Sequence, residues 1–531
     1  MTTMPVSRTL PRLIDELAER YREGTAVVGA GRRYRYGDMK AEVMKVARRL
    51  HGLGVGPGDK VGILMGNRPE WIFGALAIAS LGATMVSINT WATLRELEHI
   101  VGHSEAIYVI ASPTLLKADY GRMFRELEPW GERLPELRGI LGVGPSLPDG
   151  WLPLFDGRTD SDPAADTQIA AAFASVDPDT IAFLLYTSGS TSAPKGVPLK
   201  HRHLIENNWQ TGERQHIDSG DRLWLAISLF WSLGCANAML NLLTHGGCIV
   251  LQEAFEPGEA LRLIEAERCT VYYGTPNMAY ALLEHPDFTT RNVSSLRTGS
   301  TGGPPDQMRW VLKLGARSIC NVYGLTELHG TTHLTDANDD LELRMHSIGK
   351  PLPGFDTKIV GADGTAVPAG EVGELLVRGC FEGYYKDDDL TSRSLDPQGF
   401  FRTGDLVSAD EDGNVYFRGR LKELIKSGGI NVSPAEVEQV LMSHPAVAFA
   451  QVVGVPDPVQ NEVVAAAVVL KPGADAGSEE MTDWCKARLA AYKVPRLLRF
   501  VTDRQLPLTS TGKVQKNRIA AELFSTTGTA P

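Results

Sequence analysis

The chain has 531 residues, 43% of them hydrophobic and 22% charged, with a formal net charge of −11 at pH 7. That is more chain than one hydrophobic core usually holds, so two or more domains are expected. The acidic balance argues against nonspecific nucleic-acid binding, while a locally positive site for anionic substrates stays open. Six scattered cysteines, at 235, 248, 269, 320, 380 and 485, form no CxxC pair. They indicate neither a zinc nor a redox motif, and read as small buried residues in a reducing, cytoplasmic compartment.

In chain order, Met1–Tyr21 lacks an uninterrupted apolar core, and Asp15, Glu16 and Glu19 spoil a secretory signal. Ala26–Val28 and Arg33–Tyr36 read as short strands, Met39–Leu53 as a helix ending near Gly54, and Lys60–Met65 as a buried strand. The uncharged runs Trp71–Leu94 and Leu223–Gln252 are long enough to raise the membrane question, but Gly, Asn, Ser and Thr interrupt both. The first is expected to be a buried helix, Trp71–Leu81, then a turn at Gly82 and a strand, Thr84–Ile88; no membrane span is expected. Residues 145–180, rich in Pro, Asp and Gly, predict a surface crossing. Further on, Leu223–Ser228, Cys248–Leu251 and Val271–Gly274 read as strands, and Cys235–Leu243 and Pro257–Glu267 as helices. Alternation of this kind with apolar strands predicts a mostly parallel sheet. After Ile348 the texture turns to short β segments, with turns at Gly361–Gly364 and Asp410–Asn414. A boundary is expected near Arg420–Lys422. Beyond it, Ser433-Pro434-Ala435-Glu436 predicts a capping box with proline at the first helical position. Val463–Leu470 reads as a strand and Ser478–Ala491 as an amphipathic helix.

Tyr186–Gly196 reads YTSGSTSAPKG, and apolar Ile181, Phe183, Leu184 and Leu185 lead into it as a buried strand would. Thr187, Ser188, Gly189, Ser190 and Thr191 offer hydroxyls and bare backbone N–H groups, which can wrap a phosphate, and Lys195 adds a positive charge. A P-loop would need Gly-Lys-Ser/Thr opening a helix; here Pro194 precedes Lys195 and Gly196 follows it. Taken alone, the stretch is either a phosphate loop of another design or a surface linker.

Other stretches accompany it: GGPPD at Gly302–Asp306, YGLTE at Tyr323–Glu327, FRTGD at Phe401–Asp405, GRLKELIKSGG at Gly419–Gly429 and TGK at Thr511–Lys513. In this order the set resembles the adenylate-forming superfamily, which includes acyl-CoA synthetases, peptide-synthetase adenylation domains and beetle luciferases. The resemblance spans nearly the whole chain. It departs at Ser192, where the family usually has Gly; a positive φ there would cost Ser about 1 kcal/mol.

The resemblance implies an α/β fold: a large N-terminal domain, residues 1–420, with mostly parallel sheets flanked by helices and a β-rich subdomain, and a small mobile α+β lid, residues 421–531. It implies that ATP and a carboxylic acid form an acyl-adenylate with release of pyrophosphate. The nucleophile is already charged, so the site must orient two anions and screen their repulsion. Thr187, Ser188, Gly189, Ser190, Thr191 and Lys195 would hold the phosphates, Thr326 the α-phosphate, and Glu327 a Mg²⁺ ion. Tyr323 and the Gly302, Gly303 and Pro304 backbone would sandwich adenine; Asp405 and Arg420 would fix the ribose. Lys513 would neutralise the α-phosphate, Lys422 would be the hinge, and Gly428 and Gly429 would line a CoA passage.

The chain ends shortly after Lys513 with no carrier domain, which favours a stand-alone ligase using CoA. Ser228–Ser232 carries no acid to pair an amino group, so the substrate is not expected to be an amino acid. Trp231 stands where many members have His, and should narrow the acyl pocket; Gly302, Leu328 and His329 would complete it. A medium-chain or ring-bearing hydrophobic acid fits such a pocket. The expected partners are this acid, ATP and CoA, and a second copy of the chain in a homodimer. Competing readings are transfer to a separate carrier protein, an oxidative enzyme of the luciferase kind, and a non-catalytic nucleotide-binding homologue.

Overall fold

The computed structural model describes residues 3–156, 163–187, 194–427, 430–457, 460–508 and 514–524. The chain divides into two compact units: residues 1–356 with 378–396, and residues 357–377 with 397–531. The sequence boundary at 420/421 falls inside the second unit.

The first unit holds two large sheets. One has seven strands in the order Lys195–Lys200, Ile181–Thr187, Thr84–Ser87, Lys60–Leu64, Tyr108–Ala111, Gly139–Gly142 and Leu152–Pro153, all parallel except the first pairing. The other has nine, with a parallel centre running from Ser318–Leu325 through Thr298–Thr301, Val271–Tyr273, Arg222–Leu225 and Cys248–Leu251 to Thr25–Gly29. Antiparallel strands close both edges. Strands buried on both faces explain the near-continuous apolar runs in the sequence.

The uncharged run after Trp71 is the helix Pro69–Ser80, buried everywhere except Glu70. Its Phe73 meets Tyr34 of the nine-stranded sheet edge-on at 5.0 Å, and its Gly74 faces Ile63 and Ile110 of the seven-stranded sheet. The helix therefore lies between the sheets, where an apolar surface all round is required. The Gly82 turn has φ of +73°, and the strand Thr84–Ser87 follows as expected. Among the described residues no helix is long and apolar enough to cross a membrane. All six cysteines are buried and unpaired.

The crossing over 145–180 carries a helix at the surface, Pro163–Ser175, of which only Ile169 is buried. Other local expectations need correction. The strand predicted over Leu223–Ser228 ends at Leu225. The helix predicted over Cys235–Leu243 opens as a π-helix, Leu233–Met239, before turning α over Leu240–Thr244. The helix predicted over Ser478–Ala491 stops at Lys486.

The second unit holds a four-stranded sheet, Asp356–Val360, Gly373–Arg378, Phe401–Ala409 and Val415–Arg420. It also holds a five-stranded sheet centred on the paired strands Val447–Asp457 and Asn461–Leu470. Helix Pro434–Met442 starts with proline as expected, but the capping box does not form. Ser433 Oγ donates to the Arg418 carbonyl at 2.6 Å, and Glu436 pairs with Lys493 at 2.6 Å. Tertiary partners have taken both capping groups.

Lys516, at the start of the last helix, ties three elements of this unit together. Its Nζ lies 2.8 Å from Glu423 and 2.9 Å from Glu438, and Glu438 also accepts from the Val452 N–H at 2.8 Å. Removing one partner of a largely buried ion network strands the other charges. Lys516→Met is therefore expected to destabilise the second unit by about 3 kcal/mol, with part of this recovered in Lys516→Met/Glu438→Gln. Urea unfolding of both variants checks this; a double variant no better than the single one would count against a stranded charge.

Candidate active site

The signature stretch is anchored where the sequence places it. Strand Ile181–Thr187 pairs antiparallel with Lys195–Lys200, and Thr187 and Lys195 are direct ladder partners. Residues 188–193, including Ser188, Gly189, Ser190, Thr191 and Ser192, lie outside the described residues, as do Gly428, Gly429 and Lys513.

Tyr384 links Lys195 to Glu327. The Lys195 ammonium stands over the ring of Tyr384, 5.5 Å from the centroid. The Tyr384 hydroxyl donates to Glu327 Oε1 at 3.0 Å. Burial, and then the Glu327 carboxylate, push the Tyr384 phenol up, so it stays a donor. Glu327 sits in the short turn Thr326–Leu328 after strand Ser318–Leu325. Next to it, Thr326 Oγ1 donates to Ser232 Oγ at 3.2 Å.

The glycines flanking this turn are needed for its shape. A Cβ on Gly324 would lie 1.6 Å from the Gly330 carbonyl oxygen. Gly330 has φ of +108°, and a Cβ there would strike the Asn237 amide on the π-helix. The backbones on either side of Thr326–Leu328 thus approach more closely than any side chain permits. π-turns concentrate at functional sites, and this one backs the turn that carries Thr326 and Glu327.

Ser232 continues an aromatic cluster. Trp231 meets Trp91 at 5.4 Å and Phe230 at 5.5 Å, and Trp91 meets Phe230 at 5.1 Å, all steeply inclined. Edge-to-face packing of this kind fixes ring orientation. The turn bearing Phe230 and Trp231 is held from the seven-stranded sheet side. Asn67 accepts from the Leu229 N–H at 2.8 Å and donates to the Ile227 carbonyl at 2.9 Å; Ser87 Oγ donates to the Phe230 carbonyl at 2.8 Å.

The Gly302 segment and the strand that carries Tyr323 lie side by side. A Cβ on Gly302 would lie 2.9 Å from the Val322 carbonyl, so the Gly302 backbone abuts the strand carrying Tyr323. Gly303 and Pro304 lead directly into helix Pro305–Lys313, and Tyr323 meets His333 edge-on at 5.8 Å. The other two expected pocket residues are enclosed. Leu328 is fully buried, and His329 Nε2 accepts from the Lys200 N–H at 3.0 Å. Burial, then His203 and Lys200, hold His329 well below the usual histidine range, which keeps it a neutral acceptor.

In the second unit, Asp405 and Arg420 are cross-strand partners, and Arg420 Nε lies 3.2 Å from Asp405 Oδ1. Asp405 is buried, while Arg420 is exposed. Lys422 is exposed in the turn Leu421–Glu423 that follows.

The family model described as AMP-binding enzyme matches residues 14–385, and that of the AMP-binding enzyme C-terminal domain matches residues 436–513. The chain belongs to the AMP-binding enzyme family. Its relatives include a feruloyl-CoA synthase of Amycolatopsis, 34% identical over 93% of this chain and 95% of the other. A medium-chain acyl-CoA ligase, ACSF2, of Danio rerio is 32% identical over 97% of this chain and 88% of the other. Among solved structures, the anthranilate CoA ligase AuaEII in complex with anthranoyl-AMP superposes with a TM-score of 0.83, at 28% identity over 98% of each chain.

In this AMP-binding enzyme, Tyr384, Ser232 and Trp91 escaped the sequence reading. Tyr384 lies in Gly383-Tyr384-Tyr385-Lys386, whose only signal is an aromatic pair between Gly and Lys. Tyr384→Phe keeps the ring under Lys195 but frees Glu327. It is expected to slow adenylate formation about tenfold, the worth of one hydrogen bond to a charged group, and Tyr384→Leu by more. ATP–pyrophosphate exchange measures both; wild-type rates in both variants would remove Tyr384 from the site.

Proposed function

We propose that this AMP-binding enzyme activates a hydrophobic carboxylic acid, medium-chain or ring-bearing, and passes the acyl group to CoA. The class is that of an acid–thiol ligase: ATP is cleaved to AMP and pyrophosphate through an acyl-adenylate, and a thioester follows. The observation that carries the choice of acid is the Thr326–Ser232 hydrogen bond. It brings the charge-handling group of Lys195, Tyr384, Glu327 and Thr326 within one residue of the aromatic cluster of Trp231, Phe230 and Trp91. A carboxylate held at that junction has phosphate-binding groups on one side and an apolar wall on the other. The Ser228–Ser232 turn contains no acid for an ammonium group. The acyl groups named for the Amycolatopsis relative and for AuaEII carry aromatic rings, and that named for ACSF2 is medium-chain.

In this reading the acid's carboxylate oxygen attacks the α-phosphorus and pyrophosphate leaves. Lys195 and the hydroxyls of Thr187, Ser188, Ser190 and Thr191, with the Gly189 backbone, hold the departing phosphates. Thr326 orients the α-phosphate, and Lys513 offsets the charge that builds there. Tyr323 with Gly302, Gly303 and Pro304 holds adenine, and Asp405 with Arg420 the ribose. Among the described residues no cluster of three or more His, Cys, Asp or Glu could cage a metal. Glu327, a single carboxylate beside a phosphate site, suits Mg²⁺, which binds one or two carboxylates plus substrate phosphates. The ion would supply charge screening. Residues 421–531 act as a lid pivoting at Lys422, with Gly428 and Gly429 admitting CoA once Lys513 has served. A cytoplasmic enzyme is part of this reading, supported by six unpaired cysteines.

Pyrophosphate release over a panel of acids, with and without CoA, tests the reading. Hydrophobic acids should give AMP, and CoA should raise turnover; ADP as product, or best activity on amino acids, would overturn it. Trp231→Ala and Trp91→Ala should each shift the preference towards bulkier acids and lower kcat/KM for the best native acid. An unchanged ranking would place both rings outside the pocket.

The two steps separate in single-turnover experiments. Lys513→Ala should slow adenylate formation by about 10²-fold or more, as other charge-stabilising groups do, and spare thioester formation from supplied acyl-adenylate. Lys422→Pro should do the reverse, because a fixed φ restrains the pivot. Equal loss of both half-reactions in both variants would refute the pivot.

A further inference from the structure

Helix Leu94–Ser104 belongs to none of the machinery above, yet it touches both ends of the signature stretch. It begins with a complete capping box, Thr93 with Glu96, and ends with Glu105 in the left-handed region. Leu97, Ile100, Val101 and Ser104 bury it against the seven-stranded sheet. On another face stand His99 and His103, one turn apart, with stacked rings 5.3 Å between centroids.

His99 Nε2 lies 2.9 Å from the Pro194 carbonyl oxygen. A carbonyl only accepts, so Nε2 carries the proton. His103 Nδ1 lies 2.8 Å from the Tyr186 hydroxyl. Tyr186 is largely buried and its phenol is pushed up by burial, so it donates and His103 accepts as a neutral ring. Burial, then His99 and Lys386, hold His103 below the usual histidine range, which favours the same neutral form.

The bonds fall at telling places. Tyr186 immediately precedes Thr187, and the Pro194 carbonyl belongs to the peptide that leads into Lys195. Tyr186 and Pro194 thus bond to one helix turn, and Thr187 and Lys195 pair in the ladder. The next segment completes the brace. Tyr385 N–H donates to the Gly196 carbonyl at 2.8 Å, and its ring meets His103 edge-on at 5.6 Å. Lys386 donates to the His103 carbonyl at 3.1 Å and pairs with Glu105 at 2.7 Å. That segment also carries Tyr384, which holds Glu327 and Lys195.

We propose that His99 and His103 are positioning residues for ATP: they fix the two ends of the signature stretch, and through Pro194 the direction from which Lys195 reaches the phosphates. Neither touches the acid or CoA in this scheme. The proposal rests on the ATP-dependent reading of the site.

The test uses full-length His99→Ala, His99→Gln, His103→Phe and His103→Asn, with wild-type ATP–pyrophosphate exchange as the control on the reading itself. His99→Ala is expected to raise KM for ATP about tenfold, the loss of one bond that orders a charged site, while KM for the acid and for CoA stays within about twofold. ATP affinity measured by calorimetry should fall in parallel. His99→Gln, whose amide donates from a similar reach, should recover most of the loss. His103→Phe keeps the stack but not the acceptor and should raise KM for ATP; His103→Asn, which keeps an acceptor, should do so less. Thioester formation from supplied acyl-adenylate should be unchanged in all four. Losses shared equally by all three substrates and tracking a fall in Tm, or an unchanged ATP affinity in His99→Ala, would overturn the proposal. Absence of exchange in the wild type would instead overturn the reading on which it rests.

Discussion

Tyr384 touches two opposite charges, Lys195 with its ring and Glu327 with its hydroxyl. Lys195 and Glu327 are the cation and the anion of the proposed phosphate site, and directly paired at about 4 Å they would attract by about 4 kcal/mol near a protein surface. A ligand would have to break that pair before using either charge. The Tyr384 ring instead receives the ammonium on its face and offers its hydroxyl to the carboxylate. A cation–π contact contributes only about 0.5–1 kcal/mol at an exposed site, so Lys195 is oriented without being consumed. The rest of the site follows from keeping this tyrosine in place. The Gly324–Gly330 approach sets the turn beneath Glu327, and the 385–386 segment fastens the tyrosine's own strand of chain to helix Leu94–Ser104.

Much of the fold was legible because parallel sheets impose a strong pattern. Strands buried on both faces gave the runs at Lys60–Met65 and Cys248–Leu251, and a helix between two sheets gave the run after Trp71. The strand leading into the signature stretch was legible from Ile181, Phe183, Leu184 and Leu185, which the structure places in the strand Ile181–Thr187. What stayed hidden depended on partners distant in sequence. Tyr384 acquires meaning only when Glu327 and Lys195 arrive beside it, and Trp91 only when Phe230 and Trp231 do. Ser433 and Glu436 had the right spacing for a capping box, but Arg418 and Lys493 offered competing bonds. The π-turn at Leu233–Met239 has no compositional mark, because the same small and apolar residues also fit an α-helix.

The second unit solves a different problem. It must keep the turn Leu421–Glu423 coherent with the elements around it while Lys422 itself stays exposed. Lys516 does this by pairing Glu423 on the turn with Glu438 on helix Pro434–Met442, whose carboxylate also receives the Val452 N–H. Desolvating three charges is costly, so the arrangement is weak as a source of stability and strong as a source of geometry. A wrong register of the last helix would leave at least one buried charge without its partner.

The proposed acyl wall occupies a particular place in the first unit. The turn that carries Phe230 and Trp231 leaves the nine-stranded sheet after Leu225, yet its backbone is bonded by Asn67 and Ser87, which extend from the seven-stranded sheet. At its far end Ser232 returns to Thr326, on the nine-stranded side. A seven-residue turn, 226–232, therefore stitches both sheets together at the point where acid and nucleotide are proposed to meet. The bonds from Asn67 and Ser87 use backbone groups of Ile227, Leu229 and Phe230 rather than their side chains, while the link to Thr326 uses the Ser232 hydroxyl. Such an arrangement lets the Phe230 and Trp231 rings differ while the backbone bonds from Asn67 and Ser87 keep the turn in place.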